Sequence, residues 1–491
     1  MNGNHAFSAI LLSLAALLTP GCKKDDEAPT RVAVIGSRMK VADPSSSVLS
    51  AGDQLLVANV AQGLVRFDAR GQIEPGLAER WNVSDDGLSY VFRLRSAEWH
   101  DGSKLTAQQV ARLLRRATNQ EGRNPLRDSL GAVTEIVAMT DRVLELRLSA
   151  PRPNLLQLLA QPELAIIRGG GSGPFQLGED TGEEGRLTLS REILVNDGDE
   201  VRKEEVELRH LPTREAVEAF ARGDVDLVLG GTFADLPIAR GVRHPRNALL
   251  FDPVAGLFGL VPVDSAGPLN EPDVRRLLTQ AIDRDALIAA LGVPNLAPRT
   301  TLLQTGLEGV PTLAAQPWFT RPLSDRRASL IAESNRLFGT DEKPSLRIGL
   351  PDGSGADLLF ARLQADWGAI GLTVQRVGAT DRADLRLVDA VAPSTSPSWF
   401  LRQFRCAVAP ICSEDADALL DSARQAMVAE QRAAFFLQAG QVMDEQVLFF
   451  PLTAPIRWSL VSPAVQGFAG NRFARHTLTG LRTQLERSSS E

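Results

Sequence analysis

Between Thr213 and Leu229 the chain steps from an amphipathic helix straight into an apolar strand, and this step restricts the possible folds more than any other feature. Thr213 is placed to cap a helix with Val217 and Phe220 on one face, and Gly223 stands where such a helix leaves through the left-handed region. Residues 225–229 follow at once as a near-continuous apolar strand. A strand that is apolar on both sides needs cover on both faces, so a layered α/β structure is expected. The same alternation returns between 265 and 465. Val274, Leu277, Leu278, Ala281 and Ile282 form one helical face, and Asp283 is placed to cap the next helix at 286–291. A strand at 345–350 precedes a helix with Phe360, Leu363, Trp367 and Ile370, which Gly371 stops before a strand at 373–377. Two long helices, 414–428 and 430–447, close the series, and no short internal repeat is evident.

The N-terminal third is built differently. Short strands are expected at 31–36, 63–68 and 90–95, the last after the turn Asp85-Asp86-Gly87. Thr106 and Gln109 make a capping box for a helix with Val110, Leu113, Leu114 and Ala117 on one face. Residues 143–148 alternate as a further strand, and glycines 169–171 and 173 mark a boundary. The stretch 47–165 therefore reads as mixed α and β with short strands of its own.

With 491 residues, 44% of them hydrophobic and 23% charged, the chain can bury the core of an ordinary multidomain globular protein. Its net charge of −7, with no dense basic run, leaves no stripe for a nucleic-acid partner. Residues 6–19, AFSAILLSLAALLT, are too short an apolar run to span a bilayer, which takes roughly 20 residues, and match the core of a secretory signal. Gly21 directly precedes Cys22, and Lys23-Lys24-Asp25-Asp26-Glu27 follows. This junction resembles a bacterial lipobox, in which the Cys thiol is acylated and becomes the new N-terminus. No Lys or Arg precedes the apolar run, and Thr19 and Pro20 depart from the usual lipobox residues. The alternative is a plain signal peptide cut near Gly21, and on either reading the mature chain is exported. Cys406 and Cys412 then remain, with five residues between them; a disulfide is preferred in an exported protein, and two buried thiols are the alternative.

Enzyme signatures are absent. Position 174 is Pro where a Gly-x-Ser-x-Gly elbow would need Gly, no His-Glu-x-x-His occurs, and the five histidines are scattered. Gly171–Gly173 is not followed by Lys-Ser or Lys-Thr, which excludes a P-loop, and no Cys-x-x-Cys supports a zinc ribbon or a thioredoxin-type site. His100-Asp101-Gly102 reads as a tight turn before a capped helix, with His100 as a metal ligand the weaker alternative. Asp283-Arg284-Asp285 reads as helix capping and dipole complementarity rather than a catalytic acid cluster. Trp81 and Trp99 lie beside strand patterns and read as packing residues. No cofactor and no metal site is expected.

Several fragments in order resemble one family: QGLVRFD at 62–68, PGLAERW at 75–81, SDDGLSYVFRLR at 84–95, EWHDGSKLTAQQV at 98–110, GSGPF at 171–175, EAVEAFARGDVDLV at 215–228 and DVRRLLTQAIDRDALI at 273–288. FPLTAPIRW and VQGF follow near the end. Together they resemble the bacterial extracellular solute-binding proteins of family 5, which bind oligopeptides, dipeptides or nickel for ABC importers. The resemblance implies a two-lobed α/β fold of the class II periplasmic-binding-protein type, with a small α+β domain inserted in the first lobe. On that pattern 1–22 is the lipoprotein signal and 23–30 a linker. Lobe I is then 31–46, 166–260 and 466–491, the inserted domain 47–165, and lobe II 261–465.

The implied function is an extracytoplasmic lipoprotein that closes by hinge motion over a small solute, by family default a peptide, and hands it to the permease subunits of an ABC importer. Its contact with the membrane would be the lipid on Cys22. In peptide-binding members an Asp before an Asp-Pro pair takes the peptide's α-amino group. Here the Asp-Pro position reads Ser396-Pro397 and the amine-binding Asp is missing, so Asp389 is the candidate partner for a ligand cation. Trp399 is expected to face the cleft or the lobe core, and Ser45, Ser46 and Ser47 to line the cleft from the first lobe. Sparse His and Cys argue against nickel. A lipid-anchored sensor or adaptor that kept the fold without transport is the alternative, and a divergent hydrolase is a third reading.

Overall fold

The computed structural model describes residues 28–99, 101–119, 121–169, 171–178, 185–195, 200–341 and 343–483. The secretory segment, Cys22, residues 23–27 of the linker and His100 lie outside the described residues.

Two large sheets organise the chain. The first has seven strands in the order Leu249–Phe251, Arg457–Val461, Leu227–Thr232, Thr30–Ile35, Glu200–Leu211, Arg186–Val195, Gln176–Leu177. Its central strand, Thr30–Ile35, pairs in parallel with both neighbours. The second has five strands in the order Thr373–Gly378, Ser345–Leu350, Leu385–Val391, Gly256–Pro262, Phe450–Thr453. The chain crosses between the sheets twice, from Leu249–Phe251 to Gly256–Pro262 and from Phe450–Thr453 to Arg457–Val461. Strand Arg457–Val461 thus joins the first sheet and Gly256–Pro262 the second, although the expected limits put 457–461 in lobe II and split the other strand at 260. Apolar patterning does not say which sheet a strand joins, because both sheets want the same apolar residues.

The expected step from helix to strand is present: helix Thr213–Arg222 ends at Gly223 with φ 77° and leads into Leu227–Thr232. Thr213, however, does not cap the helix. Its hydroxyl bonds Asp235 at 2.6 Å, and Pro212 holds the cap position. Asp283 does cap its helix, accepting from Ala286 N–H at 2.9 Å, and Thr106 with Gln109 forms the capping box.

A repeat that the sequence did not disclose ties each sheet. In the first, Asp226 N–H donates to Arg31 O, Arg31 N–H donates back to Asp226, and the guanidinium bonds both carboxylate oxygens, the shorter at 2.7 Å. In the second, Arg347 and Asp384 make the same four contacts, the shortest at 2.6 Å. Each clasp fastens the starts of two neighbouring parallel strands. Arginine suits the place because its planar fork meets a carboxylate with two parallel bonds.

The small domain has a four-stranded antiparallel sheet in the order Ala78–Val83, Ser89–Leu94, Val143–Leu148, Val133–Ala138. Helix Ala107–Ala117 covers it, and a separate core runs from Leu64 to Ile166. Helix Ala51–Val60, expected within this domain, packs elsewhere: Leu55, Leu56 and Val60 join the first-sheet core beside Val32, Leu208 and Leu229. The helix is apolar on more than one side, so its own pattern does not reveal which core takes it.

Candidate functional site

The small domain and the second lobe enclose a cavity of about 1040 Å³, at the upper end of the roughly 300–1,000 Å³ usual for small-ligand sites. From the small domain it is lined by Asp128, Ser129, Gly131 and Ala132 and by Arg152, Asn154 and Leu158. From the second lobe it is lined by 308–311, the helix Pro397–Arg402 with the loop behind it, and the first turns of Ala429–Glu445. Pro397 at the first turn starts its short helix where no backbone donor is needed, and this sets Trp399 and Arg402 on the cavity wall. Beyond that helix, Cys406 and Cys412 form a disulfide with their Cα atoms 5.0 Å apart. Ala407 and Val408 inside that ring line the cavity.

Beside the cavity runs a hydrogen-bonded seam. Gln161 donates to Pro393 O at 2.7 Å, Thr395 N–H donates to Gln157 at 2.8 Å, and Asn154 meets Ser394 at 3.4 Å. Arg475, from the C-terminal segment, donates to the Gln161 oxygen at 2.9 Å. Loop 393–396 is thereby fixed to the small domain, and through Arg475 to the end of the chain. None of the cavity's lining residues comes from the first sheet, so it lies between the inserted domain and the second lobe rather than between the two large sheets.

Arginine dominates the lining, with Arg152, Arg402, Arg405, Arg424 and Arg432 against Asp128, Glu308 and Glu430. Arg405 is bound to Asp421 at 2.9 Å and Arg432 faces Glu308 at 3.6 Å. Burial pushes Arg152 down to about 10, with the Arg432 charge adding to the effect. Burial likewise lowers Arg402 to about 10, opposed by the charge of Asp128. Both stay cationic at neutral pH.

Of the residues expected in a cleft, Trp399 alone lines this cavity, its ring edge-on to Phe400 with centroids 5.0 Å apart. Asp389 does not line it. Both its carboxylate oxygens accept from Arg457, at 2.8 and 3.0 Å, so the acid proposed for a ligand cation is committed to a cation of the chain itself. Asp389 is on the second sheet and Arg457 on the first, which places the pair across the crossovers. Ser45, Ser46 and Ser47 do not line the cavity either; their hydroxyls bond Asp43 in a local turn. Such a turn is what serine beside aspartate favours. Arg402, which sequence reasoning passed over, could have been noticed as the arginine one helical turn beyond Trp399.

Among the described residues no cluster of His, Cys, Asp and Glu could hold a metal, and no helix is long and apolar enough to cross a membrane. A family model described as bacterial extracellular solute-binding proteins, family 5 Middle, matches residues 72–399. The chain belongs to this family. Its members are solute binders, so this solute-binding protein is a binding protein and not an enzyme. It is 25% identical to the probable deoxycholate-binding periplasmic protein YgiS of Escherichia coli, over 84% of this chain and 86% of the other. It is 24% identical to the probable di/tripeptide-binding protein 5 of Pseudomonas aeruginosa, over 84% and 88%. Among solved structures, Haemophilus influenzae OppA in complex with the peptide RPPGFSPFR superposes with a TM-score of 0.79 at 17% identity, over 93% of this chain and 99% of that one.

Proposed function

We propose that this solute-binding protein is the extracytoplasmic, lipid-anchored component of an ABC importer, which takes up a small solute and delivers it to the permease. The observation that carries the reading is the cavity of about 1040 Å³ between the small domain and the second lobe. Relatives named for di- and tripeptides and for deoxycholate support a ligand of this size, and a short peptide remains the family default. Closure holds the ligand because the closed form makes contacts that the open form lacks. Anchoring rests on Gly21-Cys22 behind a short apolar run. The lobe limits read from the sequence are kept, with 256–262 moved to the second lobe and 51–60 and 457–461 to the first.

Mass spectrometry of the molecule released when the purified protein is denatured tests binding. A stoichiometric small solute is expected, and a chain that releases none and saturates with no candidate would overturn the reading. Anchoring has its own test: Cys22→Ser should move the protein from the membrane fraction to the soluble one, and a variant that stays with the membrane would refute it.

A further inference from the structure

The cation at Arg402 is unusual for its setting. Among the described residues no hydrogen bond or ion pair holds its guanidinium, although it is half-buried on the cavity wall, and the exposed Asp128 acts on it only through its charge. Arg405 and Arg432, its neighbours on the same wall, are both paired. Arg152, across the cavity, uses its guanidinium on the carbonyl oxygens of Pro151 and Arg424, and no acid among the described residues forms an ion pair with it. A desolvated, unpaired cation opposes folding, and retaining one at a cavity wall is explained when an incoming anion completes it. Around it the wall is apolar, with Trp399, Val310, Leu158, Phe436 and Leu437. Acids are badly placed for a ligand cation: the side chain of Asp128 is 61% exposed, Glu430 is exposed as well, Glu308 faces Arg432, and Asp389 is held by Arg457.

We propose that the solute is a carboxylic acid on an apolar body, whose carboxylate is bound by the Arg402 guanidinium with Arg152 opposite, while Trp399 and its apolar neighbours hold the body. This rests on the binding reading above and names the substrate class for that site. Arginine can meet a carboxylate with two parallel donors, and a partly dry site strengthens that contact. The family default, a peptide recognised by its amine, is thereby replaced by a solute recognised by its acid end. A free peptide C-terminus and an organic acid such as a bile acid share this chemistry.

Paired probes separate these sources and test the assignment: trileucine and its C-terminal amide, deoxycholate and its uncharged amide. Each is titrated by calorimetry against wild type, Arg402→Gln and Arg402→Lys, with circular dichroism confirming that the variants are folded. At least one acid should bind wild type, its amide about ten- to a hundredfold more weakly. Arg402→Gln should bring the acid down to the level of the amide while leaving the amide unchanged, and Arg402→Lys should restore part of the difference. Binding of trileucine alone identifies the peptide source, and binding of deoxycholate alone the organic acid. Equal binding of acid and amide overturns the proposal, as does an Arg402→Gln variant that loses both equally. If no probe binds, the released solute decides: one without an acid group overturns the proposal and leaves the binding reading standing, one with an acid group supports the proposal, and no released solute overturns both.

Discussion

Where the second lobe meets the first sheet, the contact is close and apolar: Phe233 meets Phe258 edge-on with ring centroids 4.9 Å apart, and helix Ser354–Gly368 begins against the backbone of Phe233 and Ala234. Where the same lobe meets the small domain, the contact is a row of polar bonds through residues 393–396, and beside it about 1040 Å³ is left open. One core runs unbroken through the first contact, taking in Val217, Phe233, Phe258 and Ile348. The small domain keeps a separate core of its own. The contrast assigns the two contacts different duties. Dense apolar packing is bistable at best and resists sliding, so under the proposed closure the first is the pivot. Polar contacts with water as an alternative partner separate at small net cost, so the second can open and close.

The largest expected effect lies at the pivot. Arg457→Ala strands the largely buried Asp389 carboxylate and should cost about 3–5 kcal/mol, read as a lower urea midpoint. Burial raises the Asp389 carboxyl above its ordinary value, and Arg457 opposes the rise. A carboxyl raised in the folded state stabilises most at acid pH, and its contribution declines as pH climbs through the raised value. Removing Arg457 enlarges the rise, so the variant's stability should fall more steeply than wild type's as pH climbs above the ordinary carboxylate value. Parallel pH profiles would show that Asp389 is not the group that responds.

A smaller effect is expected at Gly355, where a Cβ would overlap the carbonyl of Phe233. Gly355→Val should destabilise by about 1–3 kcal/mol, because a backbone group cannot move aside as a side-chain tip can. A melting temperature equal to wild type would mean that the pivot is looser than its packing implies. The smallest effect is expected on the polar side. Gln157→Ala removes the acceptor of Thr395 N–H and should cost about 0.5–1.5 kcal/mol. It should also speed amide exchange at 393–396 while leaving the pivot unchanged. Faster exchange at 233–235 as well would show that the two contacts are coupled, and the contrast would lose its force.

Much of the local structure was legible. The capping box at Thr106, the cap at Asp283 and the left-handed Gly223 depend on residues three or four apart, and so they can be read from short windows. Alternation along 143–148 and the apolar run at 225–229 told strand from helix for the same reason. The family was legible because its fragments recur in order along the chain, and with the family came the two-lobed fold.

Pairings between distant residues were not legible. Arg31 meets Asp226 and Arg347 meets Asp384 across 195 and 37 positions, and no pattern in one dimension distinguishes these arginines from the rest of the basic residues. Asp389 looked available because it is the only acid between Leu385 and Arg405; the sheet crossover brings Arg457 to it from 68 residues away. Arg402 is the converse case, an ordinary surface residue in sequence that the fold turns to a cavity and leaves unpaired. The sequence by itself determined part of the helices and strands and which family they serve, since hydrophobic period and capping act over a few residues. The tertiary structure alone decided which charges are neutralised and which remain for a ligand, since burial and Coulomb attraction act through space and take no account of separation along the chain.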